Sequence, residues 1–241
     1  MQTGDNVLIG GFIVTGTQPK KVIIRAIGPS LTVPGKLENP TLELFGPSGP
    51  ITANDNWMDA PNKQEIIDST VPPTNNLESA ILTTLPANAS VYTAIVRGAG
   101  NTTGVGLVEV YDLESTAASK LANISSRGFV EINNDVMIGG FIIGPSSQKV
   151  IVRAIGPSLP VSGKLEDPTL ELFDQNGNSI AQNDNWRTGS QEAEIIASTV
   201  PPTNDLEAAI VATLPPTLHT AIVRGSGGSI GVALVEVYAL E

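Results

Sequence analysis

Two short polar turns carry the residue types in this chain that are best suited to chemistry. Each turn has the sequence Asn-Asp-Asn-Trp, first as Asn54, Asp55, Asn56 and Trp57 and again as Asn183, Asp184, Asn185 and Trp186. Closely spaced carboxylate and amide oxygens can bind a hard cation such as Ca²⁺, which takes roughly six to eight oxygen ligands. Each turn is therefore a candidate calcium site, although it offers one carboxylate. The alternative is that these side chains hydrogen-bond the backbone of their own turn.

The tryptophan that ends each turn permits a second kind of site. An exposed Trp57 or Trp186 ring would stack on a sugar ring, which would make extracellular polysaccharide the partner. The alternative is a place in the core at the end of a β-sandwich, because a large aromatic ring contributes strongly to a hydrophobic interior.

Groups for nucleophilic or acid–base catalysis are scarce. The chain has no cysteine, no Gly-x-Ser-x-Gly motif and a single histidine, His219, where the first half of the chain has Val91 or Tyr92. The carboxylate pair Glu65 and Asp68 is not repeated either, because Ala197 replaces the aspartate. Since the usual catalytic constellations lack their parts, we expect no catalytic residues and no enzymatic activity.

The second half of the chain repeats the first. The segment Arg-Ala-Ile-Gly-Pro-Ser-Leu begins at Arg25 and returns unchanged at Arg153, and the other repeated segments have a similar offset. A repeat of this length indicates duplicated domains that each bury their own core. We predict a first module over residues 1–114, a linker over 115–120 and a second module over 121–241.

Both modules are predicted to be mainly β. Short β-branched runs alternate with turns rich in the 24 glycines and 18 prolines, which favours two tandem jelly-roll or immunoglobulin-like sandwiches. Each module also has a short helical excursion, at residues 63–67 and 192–196.

A capping-box spacing follows the Pro-Pro pair of each module. Asn75 precedes Glu78 by three residues, and Asn204 precedes Glu207 in the same way. Because this spacing is typical of a helix N-terminus, a further turn or two of helix is predicted to end near Leu85 and its equivalent Leu214.

The two modules differ at their starts. Residues 121–130 alternate as a strand would and are predicted to open the second module. The first module has no counterpart of this strand, because only Met1 and Gln2 precede Thr3, where its matching sequence begins. The first module is therefore predicted to lack its opening strand and to expose a sheet edge at Val7 to Val14.

Several strings together resemble a known family. Pro-Thr-Leu-Glu-Leu-Phe, an Asn-Gly-type turn, Asn-Asp-Asn-Trp and a late Thr-Ala-Ile-Val-Arg-Gly strand are similar to the pre-peptidase C-terminal β-sandwich of secreted bacterial proteins. The family's Asp-x-Asp opening is replaced by Asn39-Pro40-Thr41. Leu-Ala-Asn-Ile-Ser-Ser-Arg-Gly-Phe-Val also resembles repeat modules near the C-termini of large exported proteins of environmental bacteria. These resemblances imply a bacterial, exported, non-catalytic accessory module, and they supply no site.

Charge and hydropathy exclude some functions. The net charge of −11 leaves no basic stripe for nucleic acid. There is no run of 18 apolar residues to span a membrane, and no signal peptide is recognisable in this chain. Few charges and many Thr, Ser, Asn and Gly residues fit an extracellular or cell-surface location.

Two hypotheses for function follow. The first is a structural module that self-associates head to tail into a filament, because an incomplete sandwich can accept a strand from another chain. The second is a Ca²⁺-dependent module for glycan binding or adhesion. No cofactor is expected apart from Ca²⁺ in the second case.

Overall fold

The computed structural model describes residues 1–240, and the fold is mainly β, as predicted. The chain divides into two compact units, Met1–Asn123 and Ile124–Glu241. The division falls inside a strand, a few residues after the linker predicted at 115–120.

Unit 1 contains seven complete strands and one short α-helix. They are β1 (Leu8–Gly16), β2 (Lys20–Ile27), β3 (Pro40–Gly46), β4 (Gly49–Asn54), α1 (Lys63–Asp68), β5 (Ser79–Leu85), β6 (Ser90–Gly98) and β7 (Leu107–Asp112). One sheet has the order β4-β3-β6-β1 and the other has the order β5-β2-β7. Strands that are neighbours in either sheet run antiparallel to one another.

Unit 2 has the equivalent elements in the same order. They are β9 (Met137–Ile142), β10 (Gln148–Ile155), β11 (Pro168–Phe173), β12 (Ser179–Asn183), α2 (Glu192–Ala197), β13 (Ala208–Leu214), β14 (Leu218–Gly225) and β15 (Gly231–Ala239). The two sheets have the orders β12-β11-β14-β9 and β13-β10-β15. The helices α1 and α2 coincide with the short helices predicted at 63–67 and 192–196.

The remaining strand, β8 (Ser119–Val130), contains the strand predicted at 121–130. Its first residues belong to unit 1 and its residues 124–130 belong to unit 2. In unit 2, β8 lies beside β15, so that sheet continues as β13-β10-β15-β8. Val130 is fully buried in the core of unit 2, and Ile124 packs against the same core.

The two sheets of each unit face one another across a tightly packed interior. Gly10 of β1 lies so close to Val108 of β7 that a Cβ added at the glycine would come within 3.0 Å of the valine methyl. Gly139 and Val235 have the same relation in unit 2. Because these contacts join strands of different sheets, each unit is a β-sandwich.

The helix and the tryptophan turn cover the outer face of the β5-β2-β7 sheet. Ile23 and Leu82 point away from the sandwich interior and pack with Trp57 and Ile66 in a second small core. Strands β2 and β5 are therefore covered on both faces, which explains why they have nearly continuous apolar sequences. No helix among residues 1–240 is long and apolar enough to cross a membrane.

The helix predicted after the capping-box spacing is wrong. The local contacts do form, since Glu78 accepts a hydrogen bond from Asn75 N–H at 3.2 Å and Asn75 Oδ1 accepts one from Leu77 N–H at 3.0 Å. The chain then continues as β5, and the equivalent residues of unit 2 form β13. Residues 79–85 pair with β2 along their length, and burial of both faces outweighs the local helix signal.

Lys20 is a fully buried cation in unit 1. Its Nζ donates to Asp112 Oδ2 and to Glu114 O, both at 2.8 Å. The equivalent residue in unit 2 is the neutral Gln148.

Replacing Lys20 with alanine should lower the free energy of unfolding by about 2–3 kcal/mol, because Asp112 and a backbone carbonyl lose their donor. Lys20→Gln, which copies unit 2, is the matched variant and should be less destabilising. Urea unfolding of both variants measures the difference. Equal losses for the two variants would contradict this role of the ammonium group.

Candidate functional site

The first asparagine of each Asn-Asp-Asn-Trp turn serves the fold. Asn54 Oδ1 accepts a hydrogen bond from Ala80 N–H at 3.0 Å, and Asn54 Nδ2 donates to Asn56 O at 3.2 Å. In unit 2, Asn183 Oδ1 accepts a hydrogen bond from Ala209 N–H at 3.0 Å. These side chains join the end of β4 to β5 and the end of β12 to β13.

The remaining members of the predicted cation site do not form a ligand cluster. Asp55 and Asp184 are exposed, and Asn56 and Asn185 each have a buried Oδ1 without a hydrogen-bond partner. Within the described part of the chain, no three Asp, Glu or His side chains are placed to hold a metal ion together. Calcium binding therefore stays a prediction that the geometry does not strengthen.

Asp184 has a negative charge that its surroundings oppose. Partial burial raises the pKa of its carboxyl, and the nearby Asp167 carboxylate raises this pKa further. In unit 1 the residue equivalent to Asp167 is the neutral Asn39. Ionised Asp184 is consequently less favourable in the folded chain than in the unfolded chain.

Both tryptophans lie in the core. Trp57 and Trp186 are 7% and 1% exposed, and their Nε1 groups donate to Asn75 O and Asn204 O at 3.0 Å. Neither ring presents a free face for stacking on a sugar. Both tryptophans therefore take the core position and not the exposed position that sugar stacking requires.

The single histidine has a packing role. His219 is fully buried, lies against Phe141 with ring centroids 5.6 Å apart, and its Nε2 is 3.1 Å from Pro215 O. In unit 1, Tyr92 makes the same type of contacts: it stacks on Phe12 at 5.5 Å, and its hydroxyl donates to a proline carbonyl. The histidine therefore occupies a structural position that a tyrosine fills in unit 1.

One buried carboxylate with several polar contacts, Glu78, was indicated by the sequence only as part of a helix cap. Glu78 is fully buried, and its Oε1 accepts hydrogen bonds from Gly28 N–H at 3.3 Å and from Ser30 N–H at 3.0 Å, as well as from the Ser30 hydroxyl. Its Oε2 accepts the hydrogen bond from Asn75 N–H. The carboxylate thus ties the loop after β2 to the segment before β5.

Unit 2 repeats this arrangement. Glu207 is also fully buried and accepts hydrogen bonds from Gly156 N–H at 3.3 Å, Ser158 N–H at 3.0 Å and Asn204 N–H at 3.2 Å. The sequence signal for this contact was the joint recurrence of Gly-Pro-Ser and Asn-x-x-Glu in both halves. The contact between the two motifs cannot be predicted from their sequence, because the partners are far apart in the chain, with 50 residues between Gly28 and Glu78.

The repeated arginines form cross-strand networks with acidic partners. Arg25 Nε donates to Glu109 Oε2 at 3.0 Å, and Arg25 Nη1 donates to Val71 O at 2.8 Å. The guanidinium also lies over the Tyr111 ring, 4.9 Å from its centroid. Arg153 pairs with Glu236 through Nη2 and donates from Nη1 to Val200 O at 2.8 Å, but its buried Nε has no hydrogen-bond partner among the described residues. These partly buried ion pairs support the sheet.

The edge predicted at Val7 to Val14 is not open, because β1 lies between β6 and β8; the open edge of unit 1 is the outer edge of β7. β7 is the last strand of the order β5-β2-β7, whereas the equivalent β15 has β8 on its other side. Val235 is 3% exposed in β15, while its equivalent Val108 is only partly buried. Among the described residues, no strand lies along the outer edge of β7.

The backbone groups on this edge can be identified from the pairing. Leu113 N–H donates to Lys21 O at 2.9 Å, and antiparallel pairs alternate between hydrogen-bonded and non-hydrogen-bonded positions. With the register of β2 and β7, the N–H groups of Val108 and Val110 therefore point away from β2. They are donors on the open edge.

Met1 marks where a strand beside β7 would end. Its amino group donates to Gly104 O at 2.8 Å, and Gly104 N–H donates to Met1 O at 3.2 Å. By the repeat offset, Met1 corresponds to Val130, the last residue of β8. Met1 therefore stands, beside Gly104, at the sequence position where β8 ends in unit 2.

Comparisons with known proteins add little to this geometry. No protein-family model matches the chain, and no curated protein matches it. Among solved structures, the chain is similar to the STIV MCP, with a TM-score of 0.28, 12% identity and coverage of 100% of this chain and 90% of that chain. A structure of Sulfolobus Turreted Icosahedral Virus gives a TM-score of 0.29, 11% identity and coverage of 99% and 84%. The structure of PNGF-II gives a TM-score of 0.26 and 9% identity, with coverage of 100% of this chain and 62% of that chain. At such low TM-scores, nothing about this chain is inferred from these structures.

Replacing Glu78 with alanine should destabilise the chain by about 3 kcal/mol, because several buried donors lose a charged acceptor. Glu207→Ala should have a similar effect, since it removes the same contacts from unit 2. Denaturant unfolding of each variant provides the measurement. A loss smaller than about 1 kcal/mol in both variants would show that these carboxylates are not essential to the loops.

Replacing Asp184 with asparagine should stabilise the chain slightly at neutral pH, because the substitution removes an unfavourable charge; solvent screening of this exposed side chain keeps the gain below about 0.5 kcal/mol. A raised folded-state pKa means that wild-type stability increases as the pH falls through that pKa, so the advantage of the variant should disappear at lower pH.

Asp55→Asn is the matched control in unit 1, where Asn39 replaces the repelling Asp167. Thermal melts across this pH range, with and without Ca²⁺, check both ideas. If added Ca²⁺ stabilises the wild type but not Asp184→Asn, the turn binds a cation, and the calcium prediction gains direct support.

Proposed function

We propose that the chain consists of two tandem copies of a non-catalytic β-sandwich module whose function is structural. Modules of this kind join head to tail, and extend into a filament, when a strand from another copy completes the open edge of unit 1. The composition, poor in charge and rich in Thr, Ser, Asn and Gly, supports a location outside the cell or at its surface.

The open edge of β7 carries this proposal. The same position in unit 2 is filled by β8, and filling it goes together with the deeper burial of Val235 relative to Val108. An unpaired strand edge presents regularly spaced donors and acceptors to any strand of suitable sequence. Addition of a strand at such an edge is a common mode of recognition, in which main-chain hydrogen bonds provide affinity.

The chain itself contains the sequence that fits such an edge. Residues 124–130 of β8 belong to unit 2, where Val130 enters the core. Because β7 and β15 both read Leu-Val-Glu-Val-Tyr over their shared length, a strand that pairs with β15 has the right partner sequence in β7. The strand that completes unit 1 is therefore of the β8 type, supplied by another copy of the module.

The alternative of a calcium-dependent glycan-binding module has less support. Its sugar-stacking residues, Trp57 and Trp186, are buried, and its proposed ligands Asn54 and Asn183 are engaged in backbone hydrogen bonds.

A peptide of residues 124–131 added to the 241-residue chain should slow hydrogen exchange at the Val108 and Val110 amides by about tenfold or more, because both amides would gain a hydrogen-bond partner. Exchange can be followed by NMR at single-residue resolution. A peptide of the same composition in scrambled order is the control.

Val110→Pro should abolish peptide binding, because it removes an outward N–H but no hydrogen bond to β2. Val110→Ala, which shortens the side chain and keeps the N–H, should bind as the wild type does. Circular dichroism establishes that both variants fold. The proposal fails if the wild-type amides stay unprotected at saturating peptide, or if the proline variant binds equally well.

A further inference from the structure

Unit 2 has an open edge of its own, at β9. This strand is the last in the order β12-β11-β14-β9. Ile143 N–H donates to Thr217 O at 3.0 Å, which fixes the alternation of hydrogen-bonded pairs along β14 and β9. The N–H groups of Ile138, Gly140 and Ile142 therefore point away from β14, toward the open edge.

The side chains along this edge are apolar and unusually exposed. Ile138 and Ile142 are 56% and 74% exposed, and Gly140 between them has nothing within 4 Å of the position of a Cβ. β9 contains no charged residue and no proline. Soluble proteins normally protect an edge strand with such residues, so an edge that lacks them is suited to a partner strand.

The equivalent strand of unit 1 already has a neighbour. β8 lies next to β1, and the segment that leads into it is held by two contacts: Thr17 N–H donates to Ala118 O, and Ala118 N–H donates to Gln18 Oε1, both at 2.8 Å. Ile9 and Ile13, which correspond to the two exposed isoleucines of β9, are only partly exposed. Within residues 1–240, no such segment flanks β9.

We infer that β9 is a second docking edge, and that its occupant is the leading half of a β8-type strand, equivalent to residues 117–123, from another copy of the module. This inference rests on the proposed function and deepens it. β8 is one continuous strand with residues in both units. A single β8-type strand can accordingly bind β9 of one copy with its first half and β7 of the next copy with its second half.

Bridging by one strand makes a distinctive prediction for assembly. A synthetic peptide of residues 115–131 added to the 241-residue chain should raise the mean molecular mass to a maximum near about one peptide per chain, where each strand joins two chains. Excess peptide should lower the mass again, because both edges of every chain are then capped. Peptides of residues 115–123 or 124–131 alone should bind without raising the mass. Sedimentation velocity measures all three.

Variants of β9 separate this edge from β7. Gly140→Pro removes an outward N–H where a side chain has space, and it should prevent the rise in mass; Gly140→Ala keeps the N–H and should behave as the wild type. The double variant Ile138→Lys with Ile142→Lys should also prevent the rise. Ile230→Lys is the matched control, because Ile230 is likewise 56% exposed and lies outside β9.

The outcomes for the two edges are distinguishable by hydrogen exchange. Protection at Ile138, Gly140 and Ile142 by residues 115–123, with loss of binding in Gly140→Pro, supports the inference. Protection at Val108 and Val110 alone, without any rise in mass, overturns it and leaves the proposed function standing. Protection at neither edge overturns both.

Discussion

The structure of each unit depends on one buried carboxylate. Glu78 immediately precedes β5, and removing a charge from water is tolerable only when hydrogen bonds replace its hydration. The donors that satisfy it are backbone N–H groups of the loop after β2, so the carboxylate fixes where that loop runs. A Cβ at Gly28 would lie 2.1 Å from Leu37 O, and glycine is therefore required where the loop passes closest.

The same residue anchors the long connection between β4 and β5. Trp57 N–H donates to Glu78 O at 2.9 Å, and the Trp57 ring donates to Asn75 O at 3.0 Å. The tryptophan turn and α1 are thereby held over the outer face of the sheet, which gives that sheet a second small core. The features that looked most like a ligand site in the sequence are consequences of this anchoring.

The sequence predicted the features that depend on neighbouring residues and missed those that depend on residues far apart in the chain. Alternation and turn residues identified the mainly-β fold, and α1 and α2 lie where short apolar-polar patterns indicated helices. Residues 79–85 were misassigned because a genuine local capping contact at Asn75 precedes a segment whose conformation is decided by pairing with β2. The role of Glu78 could not be predicted, since its partners are distant in the sequence. Burial of Trp57 likewise depends on tertiary packing, which its polar neighbours in the sequence do not indicate.

Internal repetition provided information that a single copy could not. β7 and β15 have almost the same sequence, yet one is an edge and the other is flanked, because alternation alone does not distinguish these environments. Only the presence of residues 121–130 before the second copy indicated the difference.

The uncharged edge of β9 also has a consequence for handling the chain. Two exposed isoleucines on an unpaired strand favour irregular aggregation as readily as ordered pairing. The net charge of −11 opposes this by keeping molecules apart in solution. That repulsion is screened over about 10 Å at 0.1 M salt. Colloidal stability should therefore be greatest in dilute buffer and decline as ionic strength rises.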